Sequence, residues 1–353
     1  ASHNPTGYTG IKMCGKDGII FGLATDLEKI AKLAEKAEGV RETKIKAESL
    51  NILPQYYRFL TSLSNEKKIK ARKLVLDSSG GSGSKAIDYV FVRIKGKEIK
   101  MNFRPKDKYP DHDLNPMLAE NRASLVKAVK EKKAFLGIIW DGDGDRCLLI
   151  DEKGNFVPPY FFNCLLIKIL LQKKKMKIVV DSRSGLGLKE VISKNKGKMV
   201  ICKSGYANFV KLMQKEKLLF GCENSGHYFF NLSLAKKKNY VYGDSILPIL
   251  LLLEYLSEND ITLSQAVDEF RKKYFLSGEI NLKTKKDFGK IREKLKQRFY
   301  PAKFEEFDGL SAFGRDWFFN IRPSNTEPLV RLNIETRKKE DLDNLKKEIL
   351  KNI

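Results

Sequence analysis

Three carboxylates stand at alternate positions in Asp141-Gly142-Asp143-Gly144-Asp145-Arg146, directly after the apolar run Gly137-Ile138-Ile139-Trp140. A strand that runs into such a loop, with glycines that let the backbone curl, can turn all three side chains toward one centre. Carboxylates so close together repel one another unless a cation lies between them. An all-oxygen cage of this kind suits Mg²⁺. A calcium loop competes, because Asp141, Asp143, Asp145 and Glu152 fall at the first, third, fifth and twelfth positions of an EF-hand. Arg146, however, stands where that loop needs glycine, and a strand rather than a helix enters it. An acidic surface turn is the remaining alternative, and it leaves the mutual repulsion unexplained.

Three further loops carry polar groups suited to a phosphorylated sugar. In the opening segment Ser2 is flanked by His3 and Asn4, with Lys12 a short strand away. This is either a polar turn or a phosphoryl-carrying nucleophile with basic and hydrogen-bonding neighbours. In Gly221-Cys222-Glu223-Asn224-Ser225-Gly226-His227, a carboxylate, a hydroxyl and an imidazole can hold sugar hydroxyls, with a turn around a structural histidine as the other reading. Arg322, Ser324, Asn325 and Thr326 offer a guanidinium fork, two hydroxyls and an amide, together with backbone N–H groups, to a phosphate dianion. A polar loop without a ligand is the alternative there.

The elements that must position these loops alternate between buried-strand runs and amphipathic helices, the pattern of α/β layers. Leu74-Val75-Leu76-Asp77 leads into Ser78 to Gly83, and Ile178-Val179-Val180-Asp181 leads into Ser182-Arg183-Ser184-Gly185. Each is a strand, a small-residue turn and a helix, so two related α/β domains in tandem are expected. From about Leu276 the pattern becomes that of a small α+β domain, with strands at Gly278 to Leu282, Trp317 to Ile321 and Leu329 to Glu335 and a last helix from Lys339. The expected divisions are 1–50, 51–152, 153–275 and 276–353. The first holds only one helix, Asp26 to Ala37, and a short hairpin-like stretch, too little to enclose a core.

The four loops, in this order and spacing, resemble the α-D-phosphohexomutase family. Its hallmarks are a Ser-His-Asn-Pro phosphoserine loop, an Asp-Gly-Asp-Gly-Asp-Arg metal loop, a Gly-Glu-x-Ser-Gly-His sugar loop and an Arg-x-Ser-Asn-Thr-x-Pro phosphate loop. The segment Tyr109 to Pro116 is similar to the one ahead of the family's metal loop. The resemblance implies tandem related α/β domains with mixed sheets around a cleft, plus a smaller α+β carboxy-terminal domain. It implies that Ser2 carries phosphate and completes a Mg²⁺ site with Asp141, Asp143 and Asp145. Lys12 and His3 would serve the proton transfers, with Asn4 beside the substrate and Arg146 on the transferring group. Glu223, Ser225 and His227 would hold the sugar, and Arg322, Ser324, Asn325 and Thr326 the phosphate that is not reacting. The implied reaction interconverts hexose 1-phosphate and hexose 6-phosphate, through a bisphosphorylated hexose that also serves as activator.

Within that family Asn325 and the segment Gly221 to Phe230 point to mannose and glucose phosphates rather than glucosamine phosphate. Tyr206 in Lys203-Ser204-Gly205-Tyr206 departs from relatives that have histidine there. The family also has most of a further domain before its serine loop, roughly a hundred residues by ordinary domain size. Residues 1–50 therefore read as the remnant of a first domain, which an upstream segment or a separate chain would complete. The alternative expectation is a catalytically impaired, metal-stabilised protein that binds sugar phosphates.

Composition narrows the setting. With 42% hydrophobic and 31% charged residues the chain is globular, and its longest apolar runs, Phe161 to Leu171 and Ile246 to Leu256, are too short to span a bilayer and read as buried helices. A net charge of +23 could serve nucleic acid, an anionic substrate or general solvation. The lysines are spread throughout with no aromatic-interleaved basic motif, so solvation is expected, with attraction of phosphorylated substrates, and no nucleic-acid or membrane partner. Five scattered cysteines have no paired metal spacing and an odd total, so neither a disulfide framework nor a zinc site is expected. No secretion signal opens the chain, and a cytoplasmic setting with reduced thiols is expected.

Overall fold

The computed structural model describes residues 11–15, 20–22, 26–37, 39, 48–104, 112–235, 239–324 and 328–353. Near the start, Cys14 and Ile20 form an antiparallel bridge, and helices α1 (Glu28–Ala34) and α2 (Leu53–Leu63) follow. Pro54 lies in the first turn of α2, where its missing N–H costs nothing. Next come β1 (Arg72–Asp77), α3 (Ser84–Phe91), β2 (Gly96–Met101), α4 (Ala123–Glu131), β3 (Leu136–Trp140), β4 (Cys147–Ile150) and β5 (Phe156–Val157). Strands β2, β1, β3 and β4 lie side by side in that order. The first three are parallel and β4 runs antiparallel to β3, so the sheet is mixed. Its core includes Val75, Leu125, Val129, Ile139 and Ile150.

The α/β pattern then repeats with α5 (Pro159–Lys173), β6 (Lys177–Asp181), α6 (Leu186–Lys194) and β7 (Lys198–Cys202), where β6 and β7 are parallel. Helix α7 (Tyr206–Lys215) and strands β8 (Phe220–Cys222), β9 (Tyr228–Asn231) and β10 (Val241–Gly243) follow, then α8 (Leu247–Asn259) and α9 (Leu263–Arg271). Helices α5 and α8 contain the two long apolar runs and are buried on nearly every face. Burial of each such Leu or Ile contributes about 1.5–3 kcal/mol. The start of α9 is set by a capping box, with Thr262 and Gln265 exchanging side chain to backbone bonds.

The last part is built from β11 (Phe275–Lys283), α10 (Phe288–Arg298), β12 (Lys303–Glu305), β13 (Leu310–Phe313), β14 (Trp317–Pro323), β15 (Leu329–Thr336) and α11 (Lys339–Leu350). Its five strands form an antiparallel sheet in the order β11-β15-β14-β13-β12, over a core that includes Ile291, Leu295, Phe319, Leu332 and Ile349. Tandem α/β elements followed by a smaller α+β part are the fold class expected from the sequence. The chain forms two compact units, one within residues 1–156, 205–220 and 227–260, the other within 157–204, 221–226 and 261–353. Among the described residues no helix is long and apolar enough to cross a membrane. All five cysteines are free, Cys14 exposed and the other four buried.

Candidate functional site

In the first unit, β3 is buried along its length, and β4 returns with Cys147 opposite Trp140, which makes residues 141–146 a tight loop at the strand end. Parallel pairing of β1 with β3, Asp77 opposite Ile139, brings the loop after β1 alongside. Ser82 N–H donates to the Gly142 carbonyl at 2.9 Å, and Ser79 Oγ to the Trp140 carbonyl at 2.5 Å. The backbones approach so closely that a Cβ on Gly81 would lie 1.7 Å from the Gly142 oxygen. Buried Asp77 fixes the supporting loop: it accepts from Ser79 N–H at 2.9 Å and Asn102 Nδ2 at 3.1 Å, and His112 Nε2 lies 3.1 Å away.

Asp141, Asp143 and Asp145 each direct an oxygen to one centre, all within 4.8 Å of one another. Asp141 is fully buried and accepts from the Arg146 backbone N–H at 3.1 Å. Burial and the neighbouring Asp145 push its carboxyl up to about 7, against the pull of Arg146. Lys12 donates to Asp143 Oδ2 and, at 2.6 Å, to Asp145 Oδ2. Burial favours neutral Lys12, but Asp145 and Asp143 outweigh it and raise the ammonium above the ordinary lysine range. Burial also opposes ionisation of Asp145, yet His227 and Lys12 hold its carboxyl well below the usual carboxylate range.

His227 is joined to Arg146 by an antiparallel bridge. Its Nε2 lies 3.1 Å from Asp145 Oδ1 and 3.0 Å from Arg146 Nε. One ring nitrogen cannot donate to the carboxylate and accept from the guanidinium at once, so the protonation of Nε2 decides which of the two contacts is a hydrogen bond. Asp143 Oδ1 is buried without a hydrogen-bond partner. An orphaned carboxylate oxygen in an all-carboxylate cluster fits a hard divalent cation, which would satisfy it and relieve the repulsion. A strand enters the loop and another leaves it, and Glu152 is not a member of the cluster, so an EF-hand is ruled out.

The turn before α8 braces this loop. Ser245 Oγ donates to the Gly144 carbonyl at 2.5 Å. Buried Asp244 accepts from Ile246 N–H and Leu247 N–H, both at 2.8 Å, and from Tyr56 OH at 2.8 Å. Tyr206 accepts from Gly243 N–H at 2.7 Å, meets His227 edge-on at 6.1 Å and lies 5.8 Å under the Lys12 ammonium.

The second unit holds Glu223, Ser225, Arg322 and Ser324. Glu223 is buried, its carbonyl accepts from Gly226 N–H and Asn163 Nδ2, and Ser225 Oγ lies 3.5 Å from its carboxylate. Asp181, at the end of β6, accepts from Asn224 N–H at 2.7 Å and Arg183 Nη2 at 2.6 Å. Arg322 Nη2 donates to Glu279 at 3.1 Å, and Ser324 N–H to the Leu329 carbonyl at 2.9 Å.

Sequence comparison covers nearly all of this. Models of the phosphoglucomutase/phosphomannomutase family match in register: α/β/α domain II at residues 54–154, α/β/α domain III at 159–274 and the C-terminal domain at 279–352. A protein named phosphomannomutase from Vibrio cholerae serotype O1 is 37% identical, over 99% of this chain and 76% of its own length. The chain belongs to the phosphoglucomutase/phosphomannomutase family. Another relative named phosphomannomutase, from Methanocaldococcus jannaschii, is 34% identical over 95% of this chain and 73% of its own. The fold is shared with a phosphoglucomutase/phosphomannomutase family protein from Burkholderia thailandensis, with a TM-score of 0.76 at 21% identity over 86% of this chain and 64% of that one. The chain thus spans about three quarters of the length of these curated relatives.

Measured against the family's motifs, the structure brings together Lys12, Asp141, Asp143, Asp145, Arg146 and His227. His227, grouped in sequence with Glu223 and Ser225, contacts the metal loop. Ser2, His3, Asn4, Asn325 and Thr326 lie outside the described residues. Sequence reasoning missed Asp244, Ser245, Arg183 and Glu279. The only local signal was a polar residue directly after a strand, as in Gly243-Asp244-Ser245 and Asp181-Ser182-Arg183.

Proposed function

We propose that this family member interconverts hexose 1-phosphates and hexose 6-phosphates of mannose, glucose or both, through phosphoserine at Ser2 and a bisphosphorylated hexose. The observation that carries the proposal is the three-carboxylate loop with Lys12 seated on Asp143 and Asp145 and Asp143 Oδ1 orphaned beside them. In this reading Asp141, Asp143 and Asp145, with the Ser2 phosphate, hold Mg²⁺. When bound, the ion supplies positive charge to the oxygens of the transferring phosphoryl group.

The remaining roles fall to the chain's own groups. Transfer breaks the Ser2 O–P bond and forms an O–P bond to the free sugar hydroxyl; the Lys12 ammonium, kept protonated by Asp145 and Asp143, donates a proton to the departing Ser2 oxygen, and the hydroxyl's proton passes to His3, with Asn4 alongside. Arg146 steadies the charge on the transferred group. Glu223, Ser225 and His227 bind sugar hydroxyls, and Arg322, Ser324, Asn325 and Thr326 bind the distal phosphate. Reversing the sugar between the two half-reactions returns the other phosphate to Ser2. The proposed domains are 1–50 with the serine loop, 51–152 with the metal loop, 153–275 with the sugar loop and 276–353 with the phosphate loop, in a cytoplasmic protein.

The test is incubation of the full chain with Mg²⁺, glucose 1,6-bisphosphate and mannose 1-phosphate or glucose 1-phosphate, followed by assay of the 6-phosphates and peptide mass analysis. The expected result is product formation with one phosphoryl group on the peptide that contains Ser2. A chain that binds these sugars without turning them over and never carries phosphate would overturn the proposal.

A further inference from the structure

Tyr206 is the first residue of α7, and its contacts gather around the metal loop. Its hydroxyl accepts from Gly243 N–H at 2.7 Å. The ring lies so close on that glycine that a Cβ there would be 2.6 Å from Cε2 and 2.8 Å from the hydroxyl oxygen. A side chain at 243 would therefore have to displace the ring. Phe229 of β9 packs edge-on against it, with 4.9 Å between centroids, and fixes its plane.

The ring then meets two groups that converge on Asp145. Lys12 Nζ lies 5.8 Å from its centroid, within the range of a cation over an aromatic face. His227 meets it with the two rings perpendicular and 6.1 Å apart. Lys12 donates to Asp145 Oδ2 at 2.6 Å, and His227 Nε2 lies 3.1 Å from Oδ1. The carboxylates hold only the tip of Lys12, and half of its side chain is exposed. A neutral ring attracts the ammonium through its quadrupole without adding a charge that would compete for the cation of the metal loop. Burial, with the charges of Asp145 and Asp244, keeps the phenol neutral, against the pull of the Gly243 N–H and of Lys12. The hydroxyl reaches the same loop from below. Gly243 is followed directly by Asp244 and by Ser245, whose Oγ donates to the Gly144 carbonyl at 2.5 Å.

We propose that Tyr206 is a positioning residue for phosphoryl transfer. Its ring confines the Lys12 ammonium and the His227 imidazole beside Asp145, and its hydroxyl ties that ring to the turn that braces Gly144. The proposal rests on the reading of Lys12 as the proton donor of the transfer step, and deepens it. A phenol that donates its proton to a sugar oxygen is the competing role.

Steady-state kinetics of the full chain with Mg²⁺, glucose 1,6-bisphosphate and mannose 1-phosphate test this. Tyr206→Leu should lower kcat by about tenfold to a hundredfold, with KM within about twofold of wild type. Tyr206→Phe keeps the ring and should fall between the two. Gly243→Ala, which pushes the ring from below and leaves the phenol in place, should also lower kcat. Added to Lys12→Met, Tyr206→Leu should cost several-fold less than it does alone, because one group that it positions is gone. Full additivity would overturn the action through Lys12, and a rise in KM at unchanged kcat in Tyr206→Phe would assign the phenol to the sugar instead. A second arm needs no turnover. Reductive methylation without metal, followed by peptide mass analysis, should modify Lys12 several-fold faster in Tyr206→Leu and Gly243→Ala than in wild type, with exposed Lys347 of α11 unchanged as the control. If wild type turns nothing over, the mutase reading fails and this arm still decides. Unchanged Lys12 reactivity in folded variants would overturn the positioning role. Circular dichroism melting monitors folding, and loss of the fold in all three variants would assign Tyr206 to the core alone.

Discussion

The ammonium of Lys12 donates to the Asp145 carboxylate at 2.6 Å across 133 positions of sequence. This contact ties the segment after the serine loop to the metal loop, although half of the Lys12 side chain remains exposed. An exposed ion pair contributes about 0–1 kcal/mol to stability. Lys12→Met should therefore leave the melting temperature nearly unchanged while lowering kcat by a factor of about 10²–10⁴, the range for loss of a general acid or base. A melting loss with unchanged kcat would assign Lys12 to structure instead.

Asp143 separates metal binding from folding in a different way. Removal of one of three mutually repelling carboxylates should leave the metal-free protein as stable as wild type or slightly more so. Mg²⁺ should raise the melting temperature of wild type and not of Asp143→Ala, since a ligand stabilises only what binds it. Turnover by Asp143→Ala with a chelator present would exclude the metal role.

Gly81 tests whether the loop after β1 sets the metal loop. An added Cβ would meet the Gly142 carbonyl at 1.7 Å, and backbone rather than a flexible side chain has to yield. Gly81→Ala should cost about 1–3 kcal/mol of stability. Displacement of the carboxylates by about 1 Å should cost about a hundredfold in kcat. Denaturant unfolding with parallel assay checks both, and wild-type kcat would show that the metal loop holds its shape independently.

These supports show where sequence reading stops. The clustering of Asp141, Asp143 and Asp145 could be read because three carboxylates at alternate positions are costly without a purpose, and α5 and α8 because no polar face interrupts them. Ser245 meets Gly144 across 101 positions, and Arg322 meets Glu279 across 43, so neither pairing leaves a local pattern. Strand β12, only Lys303–Glu305, is too short and too charged to show alternation. His227 was found as a polar residue, but its place beside Asp145 depends on an isolated bridge to Arg146, 81 positions away.

If, as proposed, one loop holds whichever phosphate is not reacting, Arg322→Ala should raise KM for the 1-phosphate and the 6-phosphate alike. Loss of a charge-assisted contact is worth about 2–3 kcal/mol, or roughly 30-fold to 150-fold. Steady-state kinetics in both directions check this, and an effect on one substrate alone would argue against a sugar that reverses between half-reactions.

Glu335 on β15 gives the second unit a pH dependence of its own. It is almost wholly buried, accepts from Tyr160 OH at 2.7 Å and Gly187 N–H at 2.8 Å, and its other oxygen has no partner. Burial raises its carboxyl from 4.5 to about 7, against the hydrogen bonds from Tyr160 and the backbone and the charge of Arg337. Between these values the folded chain keeps a proton that the unfolded chain has lost. Stability should therefore fall as pH rises through this window and level off above it, by roughly 3 kcal/mol at most. Glu335→Gln cannot ionise, so it should lack this contribution, while its amide nitrogen inherits the unpartnered position and costs about 1–3 kcal/mol at low pH. The stability difference between wild type and Glu335→Gln, measured by denaturant unfolding at each pH, should then shrink from pH 4.5 to 7. Subtraction removes other groups that titrate in the same range, Asp141 among them. A difference that stays constant across the window would mean that Glu335 is ionised throughout, with its charge balanced inside the fold.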